Sequence, residues 1–312
     1  VTKTKTRTVF VGEESMMRRL MILVTMMTAI FAFLPAGFGA PSGEGVENLV
    51  VLLTDYGPSD FYVGALEGSI YSANPEARIS TITHEVLAFN VAEGSYILAQ
   101  AARYYPPGAV FAAEVNPGVG TAERSIVVET NDSKLFVGPD NGLFTDVMDE
   151  LGIASVREIT NLNLTGQGRT SITFNGMNVY GPVAAHLAAG TDPSEFGPEI
   201  FDPVKLEVLK ADIEGQDLAG TVAHVDHWGN LVTNIPQELV ERADLSPGDW
   251  VEISVGGEKV EAAFATTYGD VPRGEWVAMI SLLGRLEIAR NMASAAEALG
   301  VSAGAEVRVA RI

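Results

Sequence analysis

The chain contains no cysteine in 312 residues. That one absence removes disulfide frameworks, thiolate zinc sites, cysteine nucleophiles and a lipid-modified cysteine. Basic residues are also scarce, 20 against 40 acidic, for a formal charge of -20. A field of that sign repels a phosphate backbone, and no local basic patch reverses it, so nucleic acid is not an expected partner. A cationic small molecule is favoured by the same field, although a solvated, solubilising surface accounts for most of the charge. Three chemical signatures are missing as well. "NPGVGTAER" lacks the Gly-Lys-Ser/Thr ending of a phosphate loop and the glycine spacing of a dinucleotide turn, and no Gly-x-Ser-x-Gly elbow occurs. The four histidines, His84, His186, His224 and His227, show no metal-ligand spacing on one helix face, so no metal is expected.

No apolar run reaches the roughly 20 residues of a membrane span. The one near the N-terminus, residues 20–34, follows Arg18 and Arg19 and precedes small residues, the layout of a secretory signal peptide. Cleavage after Gly39 would place Gly37 and Gly39 at the two small-residue positions, and an uncleaved segment would be the protein's sole membrane contact. Met16 or Met17 is the more natural start, with residues 1–15 an extension before it. The expectation is an exported, periplasmic protein whose residues 1–40 are extension and signal.

What is present, 47% hydrophobic residues, suffices for a sizeable core. After a Gly/Pro/Ser linker at residues 41–45, apolar runs alternate with helical patterns. "NLVVLLT", "ARISTITHEV" and "AVFAAEV" read as strands, while "DFYVGALEGSIYSA", "VAEGSYILAQAARYY" and "LFTDVMDELG" read as helices. "SIVVET" and "KLFVG" form a hairpin around Asn131 and Asp132. This alternation predicts an α/β domain with a mostly parallel, layered sheet over residues 46–205. From about residue 215 short strands separated by Gly, Asp and Asn turns predict a small antiparallel β-barrel or sandwich to residue 312.

Ligands of open α/β sheets bind beyond the carboxyl ends of the strands. Asp55, after "VVLLT", and the turn at 116–120, after "AVFAAEV", both fall at such an edge. An aspartate there suits ribose hydroxyls; the plain alternative is that Asp55 caps the following helix.

Six ordered motifs then carry a resemblance that spans residues 48–312: "LLTDYG", "THEVLAFNVAEGSYILAQAARYYPPGAVFAAEVNPGVG", "FVGPDNGLFT", "TFNGMNVYGPVAAHLAAG", "VDHWGNLVTNI" and "GRLEIARN". In that order they resemble the S-adenosylmethionine hydroxide adenosyltransferases, relatives of the enzymes that join halide to the adenosyl C5′ carbon. The resemblance implies hydrolysis of S-adenosylmethionine or a related 5′-substituted adenosine, without a cofactor. It also implies a homotrimer binding the adenosyl group between the α/β domain of one subunit and the barrel of a neighbour. By position Asp55 corresponds to the ribose-gripping aspartate, Asp60 to an acidic residue near the methionine amino group, and Phe89 to a wall over the sugar. Asp226, Trp228 and Asn230 correspond to adenine and amino-acid contacts, with Glu287 and Arg290 at the adenine edge.

The resemblance also marks departures. The family's water-activating Asp, Arg and His, in "DPGVGTxR" and "TFHG", are Asn116, Glu123 and Asn175 here, with Arg124 one residue beyond. An asparagine holds a water but takes no proton from it near neutral pH. The serine that helps bind the methionine carboxylate is Leu282, with Ser281 adjacent. Halide-transferring relatives carry a tyrosine at the Asn116 position and, in the fluoride enzymes, an inserted loop absent here, so halogenation is not implied. A pocket kept for adenosine with catalysis lost, or a structural trimer of the envelope with a vestigial pocket, are the alternatives from other classes.

Overall fold

A computed structural model describes residues 46–166, 173–207 and 210–312; the signal and extension expected over residues 1–40 lie outside the described residues. Val46–Ile312 form one compact unit. Its first half is built on strands β1 (Leu49–Thr54), β2 (Arg78–Thr83), β3 (Val110–Glu114), β4 (Ser125–Thr130), β5 (Leu135–Pro139) and β6 (Ile153–Glu158). These form one sheet in the order β2-β1-β3-β5-β4-β6. Pairings β1–β2, β1–β3 and β3–β5 are parallel, whereas β4 runs antiparallel to β5 and β6. The expected hairpin is β4–β5, turning through Ser133 at φ +64°.

The layers follow from side-chain alternation. In β1, Val51 and Leu53 join Leu98, Phe111 and Phe136 on one face, while Val50 and Leu52 join Leu66, Ile70 and Val183 on the other. Strands buried on both faces read as continuous apolar runs, which is why β1 and β3 were conspicuous. Helices α1 (Tyr62–Ala73), α2 (Val91–Ala102), α3 (Thr145–Leu151) and α4 (Gly181–Ala188) cover the two faces. Asn90 caps α2 by accepting the Glu93 N–H at 3.1 Å. Helix α1 ends at Asn74, before the proline, as its sequence predicts.

The second half contains β7 (Asp212–Glu214), β8 (Asp217–Val225), β9 (Leu231–Pro236), β10 (Trp250–Val255), β11 (Glu258–Phe264), β12 (Trp276–Ile280), β13 (Arg285–Arg290) and β14 (Glu306–Arg311). Seven strands close as β14-β10-β11-β12-β13-β9-β8 through a β14–β8 pairing, and β7 hairpins onto β8. Closure removes the sheet's free edges. All pairs are antiparallel except β11–β12, a parallel contact that the sequence did not announce. Leu218, Leu231, Ile253, Leu286 and Val307 fill the barrel.

The two halves meet through polar pairs. His224 Nδ1 on β8 lies 3.0 Å from Glu93 Oε1 on α2, and Arg285 on β13 donates to Glu150 Oε1 at 3.1 Å. Among the described residues no helix is long and apolar enough to cross a membrane.

Candidate functional site

From β1 the chain passes to β2 on one side and then to β3 on the other. Ligands of such sheets usually sit beyond the carboxyl ends of the strands at this reversal, here β1 and β3. Asp55 follows β1 and Asn116 follows β3, so both stand at that edge.

Asp55 does not cap the next helix. Helix α1 starts seven residues later, with Phe61 at its N-cap position and no side-chain cap. Instead Asp55 Oδ2 accepts the Phe89 N–H at 2.9 Å. Phe89 has φ +66°, a left-handed conformation uncommon for a bulky residue, and its ring is 70% exposed. One carboxylate oxygen thus holds the 85–90 loop while Phe89 stays exposed. Asp60 is exposed on the loop before α1.

The turn after β3 is organised by Asn116, whose Oδ1 accepts the Gly118 N–H at 2.9 Å. Asn116 is buried, and its Nδ2 makes no well-formed hydrogen bond, an exception to the rule that buried polar atoms are paired. Glu123 folds back over this turn: a Cβ added to Gly118 would lie 2.9 Å from Glu123 Oε2. Burial pushes the Glu123 carboxyl above its usual range, and the Asn116 side chain draws it partly back. Arg124 points elsewhere, donating to Asp140 Oδ2 at 2.8 Å and to Asp202 Oδ1 at 2.9 Å. It is locked in a clamp between these two carboxylates.

Asn175 opens the π-helical turn Gly176–Tyr180 and its side chain interacts with the Tyr180 hydroxyl. Tyr180 is buried, and its hydroxyl accepts from Ser125 Oγ at 3.5 Å. Burial pushes the Tyr180 phenol up, and Glu114 pushes it further. Glu114, the last residue of β3, is a participant that motif reading missed. Its Oε2 accepts the Tyr56 hydroxyl and the Gly176 N–H, the latter at 2.7 Å. Burial raises its pKa to about 7. The available signal was a lone carboxylate in the otherwise apolar run "AVFAAEV".

A second group lies on the barrel. A cavity of about 580 Å³ is lined by Trp228, Asn230, Tyr268, Arg290, Met292 and Ser294, among others. Asp226 sits beneath it, accepting the Trp228 N–H at 3.0 Å, the Asn230 N–H at 2.8 Å and Asn230 Nδ2 at 2.8 Å. Its role is to shape the loop, with Gly229 at φ +81° closing the turn. Trp228 is 72% exposed, so it is not barrel core. Glu287 is buried on β13 and accepts the Tyr268 hydroxyl at 2.5 Å; burial pushes its carboxyl up. Arg290 donates to the Gly274 carbonyl at 2.9 Å and lies over the Trp276 ring. Leu282 is outside this lining, 90% exposed on the turn between β12 and β13. The lining contains no residue of the N-terminal sheet. Among the described residues no group of three or more His, Asp or Glu side chains is placed to hold a metal.

This division into a sheet-edge group and a barrel group coincides with two family models. The SAM hydroxide adenosyltransferase N-terminal domain matches residues 50–197, and the C-terminal domain of the same family matches residues 220–308. The chain belongs to the SAM hydroxide adenosyltransferase family. Among similar proteins of this family, the (R)-S-adenosyl-L-methionine hydrolase of Salinispora tropica is 36% identical over 259 residues, covering 82% of this chain and 95% of the relative. The Fluorinase of Actinopolyspora mzabensis is 27% identical over 291 residues, covering 84% and 97%. A crystal structure of an uncharacterized conserved protein from Thermotoga maritima superposes with TM-score 0.80 at 39% identity, covering 84% of this chain and all of that one. Asn116, Glu123 and Asn175 lie on segments that converge at one sheet edge, beside Glu114 and its partners.

Proposed function

We propose that this chain hydrolyses S-adenosylmethionine, or a related 5′-substituted adenosine, to adenosine. Water attacks C5′ in line with the C5′–S bond, methionine leaves with the bonding electron pair as a neutral thioether, and the water surrenders a proton. Asp55 grips the ribose hydroxyls with the oxygen that Phe89 leaves open. Asn116 and Asn175 hold the water by hydrogen bonds, and the Glu123 carboxylate receives its proton. The observation that carries this reading is the inward fold of Glu123 over Gly118 against the buried Asn116 amide. Burial moves a carboxyl towards the range of an effective base near neutrality, the direction found for Glu123. The relatives named as hydrolases of this substrate support the reaction class.

The barrel cavity of a neighbouring protomer completes the site in a homotrimer, with Trp228 and Asn230 against the adenosyl group and Arg290 and Glu287 at the adenine edge. Asp60 and Leu282 flank the methionine end. The protein works outside the cytoplasm, in the periplasm. Purified protein incubated with S-adenosylmethionine and resolved by chromatography tests this: adenosine and methionine should form together, and turnover no higher than that of Asp55→Ala would refute it.

One observation favours a second reading, an adenosine-binding protein without turnover: neither Asn116 nor Asn175 can accept a proton near neutral pH. Calorimetry separates the two, since binding of adenosine with no turnover would select the second.

A further inference from the structure

A carboxyl in the interior of a sheet is costly unless its oxygens are hydrogen-bonded, so Glu114 at 4% exposure requires an explanation. Its partners come from two other segments. The Tyr56 hydroxyl donates to Oε2 from the residue after Asp55, and the Gly176 N–H donates to the same oxygen from the residue after Asn175. The Asn175 backbone N–H is also directed at this carboxyl. Asn116 is two residues along its own chain. The three residues of the proposed reaction centre that come from different segments are therefore each one or two positions from this side chain or a direct partner.

Two features show that the approach is built in. A Cβ on Gly176 would lie 2.5 Å from Glu114 Oε2, so glycine is needed for the turn to reach the carboxyl. The Tyr56 ring is held edge-on by Tyr62 and Phe174, at centroid distances of 6.1 and 6.2 Å, and those two rings stack at 4.3 Å. This packing aims the Tyr56 hydroxyl at Glu114 and pins the residue before Asn175.

Resting on the hydrolase reading, we propose that Glu114 is a positioning residue: its buried carboxyl ties the ends of β1 and β3 to the π-helical turn and fixes where Asn175 stands relative to Asp55 and Asn116. Ionised, it accepts these donors more strongly than a neutral acid does. Asp55 and Tyr56 face it from the β1 end and Tyr180 from the π-helical turn; both Asp55 and burial oppose its ionisation, burial the more.

The test compares Glu114→Ala with Glu114→Gln, which retains an oxygen acceptor. Displacement of a water-holding group by about 1 Å costs roughly 100-fold. Glu114→Ala should lower kcat by 10- to 100-fold or so with KM for S-adenosylmethionine little changed, while Glu114→Gln stays within a few-fold of wild type. Wild-type kcat in Glu114→Ala, or a fall in Glu114→Gln as large as that in Glu114→Ala, would overturn the proposal. Should the alanine variant not fold, Tyr56→Phe removes one donor alone, with a smaller fall in kcat expected and an unchanged kcat counting against it. Amide hydrogen exchange at Asn175 and Gly176, read without substrate, separates the two levels of claim. Protection lost in Glu114→Ala or Tyr56→Phe and kept in Glu114→Gln supports the tether even if wild type has no turnover, which would refute only the hydrolase reading. Equal protection in every variant refutes the tether whatever the turnover.

Discussion

Replacing Glu114 by glutamine should change the pH dependence of stability in a direction fixed by its burial. The carboxyl is raised from an ordinary 4.5 to about 7, chiefly by desolvation and despite the Tyr56 and Gly176 hydrogen bonds. The folded state therefore keeps its proton at pH values where the unfolded chain has lost it. Between those pH values the native state binds more protons, so stability falls as pH rises. The contribution is fully present below about 4.5 and lost by the time pH passes about 7. At about 1.4 kcal/mol per pH unit, the loss is about 3 kcal/mol. Glutamine does not titrate, so the stability of Glu114→Gln minus that of wild type should increase by about 3 kcal/mol from pH 4.5 to 7 and then level off. Other ionisable groups are common to both proteins and cancel in the difference. Urea unfolding of both proteins across pH 4 to 9 measures it. A difference that stays flat, or one that falls with pH, would refute the reasoning.

Four further outcomes are expected. Glu123→Gln should lower kcat by 10²-fold or more with KM retained, the scale of a lost general base. In wild type, activity should fall as pH drops through the raised Glu123 value, and a kcat assay over pH 5 to 9 reads both. Asp226→Ala removes acceptors from Trp228 N, Asn230 N and Asn230 Nδ2, so it should cost about 2 to 3 kcal/mol of stability and weaken adenosine binding, measured by urea unfolding and calorimetry. Leu98→Ala opens a cavity in the core between α2 and the sheet and should cost about 2 to 5 kcal/mol with kcat unchanged, as followed by urea unfolding and the turnover assay.

Much of the architecture was legible because burial writes itself into local pattern. The long apolar runs of β1 and β3 announce central strands, and the alternation in "WVEISV" marks β10 as a barrel wall with one face inside. Strand β6 was less visible, since only Val156 of its six residues is buried, and β13 stood out as a motif before it stood out as a strand. The site was legible where a residue follows a strand, as Asp55 and Asn116 do. It was obscure where the partner is distant: Asp55 meets Phe89 across 34 positions, and Glu114 meets Gly176 across 62. No periodicity records such pairings. The direction of Glu123 was equally hidden, because a glutamate in a turn is most often solvated, and only the folded loop turns it over Gly118.

The most direct test of the central claim, attack of water on C5′, is isotopic. The purified protein is incubated with S-adenosylmethionine in ¹⁸O-enriched water, and the released nucleoside is weighed by mass spectrometry. The account predicts adenosine carrying one ¹⁸O at its 5′ hydroxyl, formed together with methionine and not formed by Asp55→Ala. Unlabelled adenosine, or no adenosine above that variant, would contradict it.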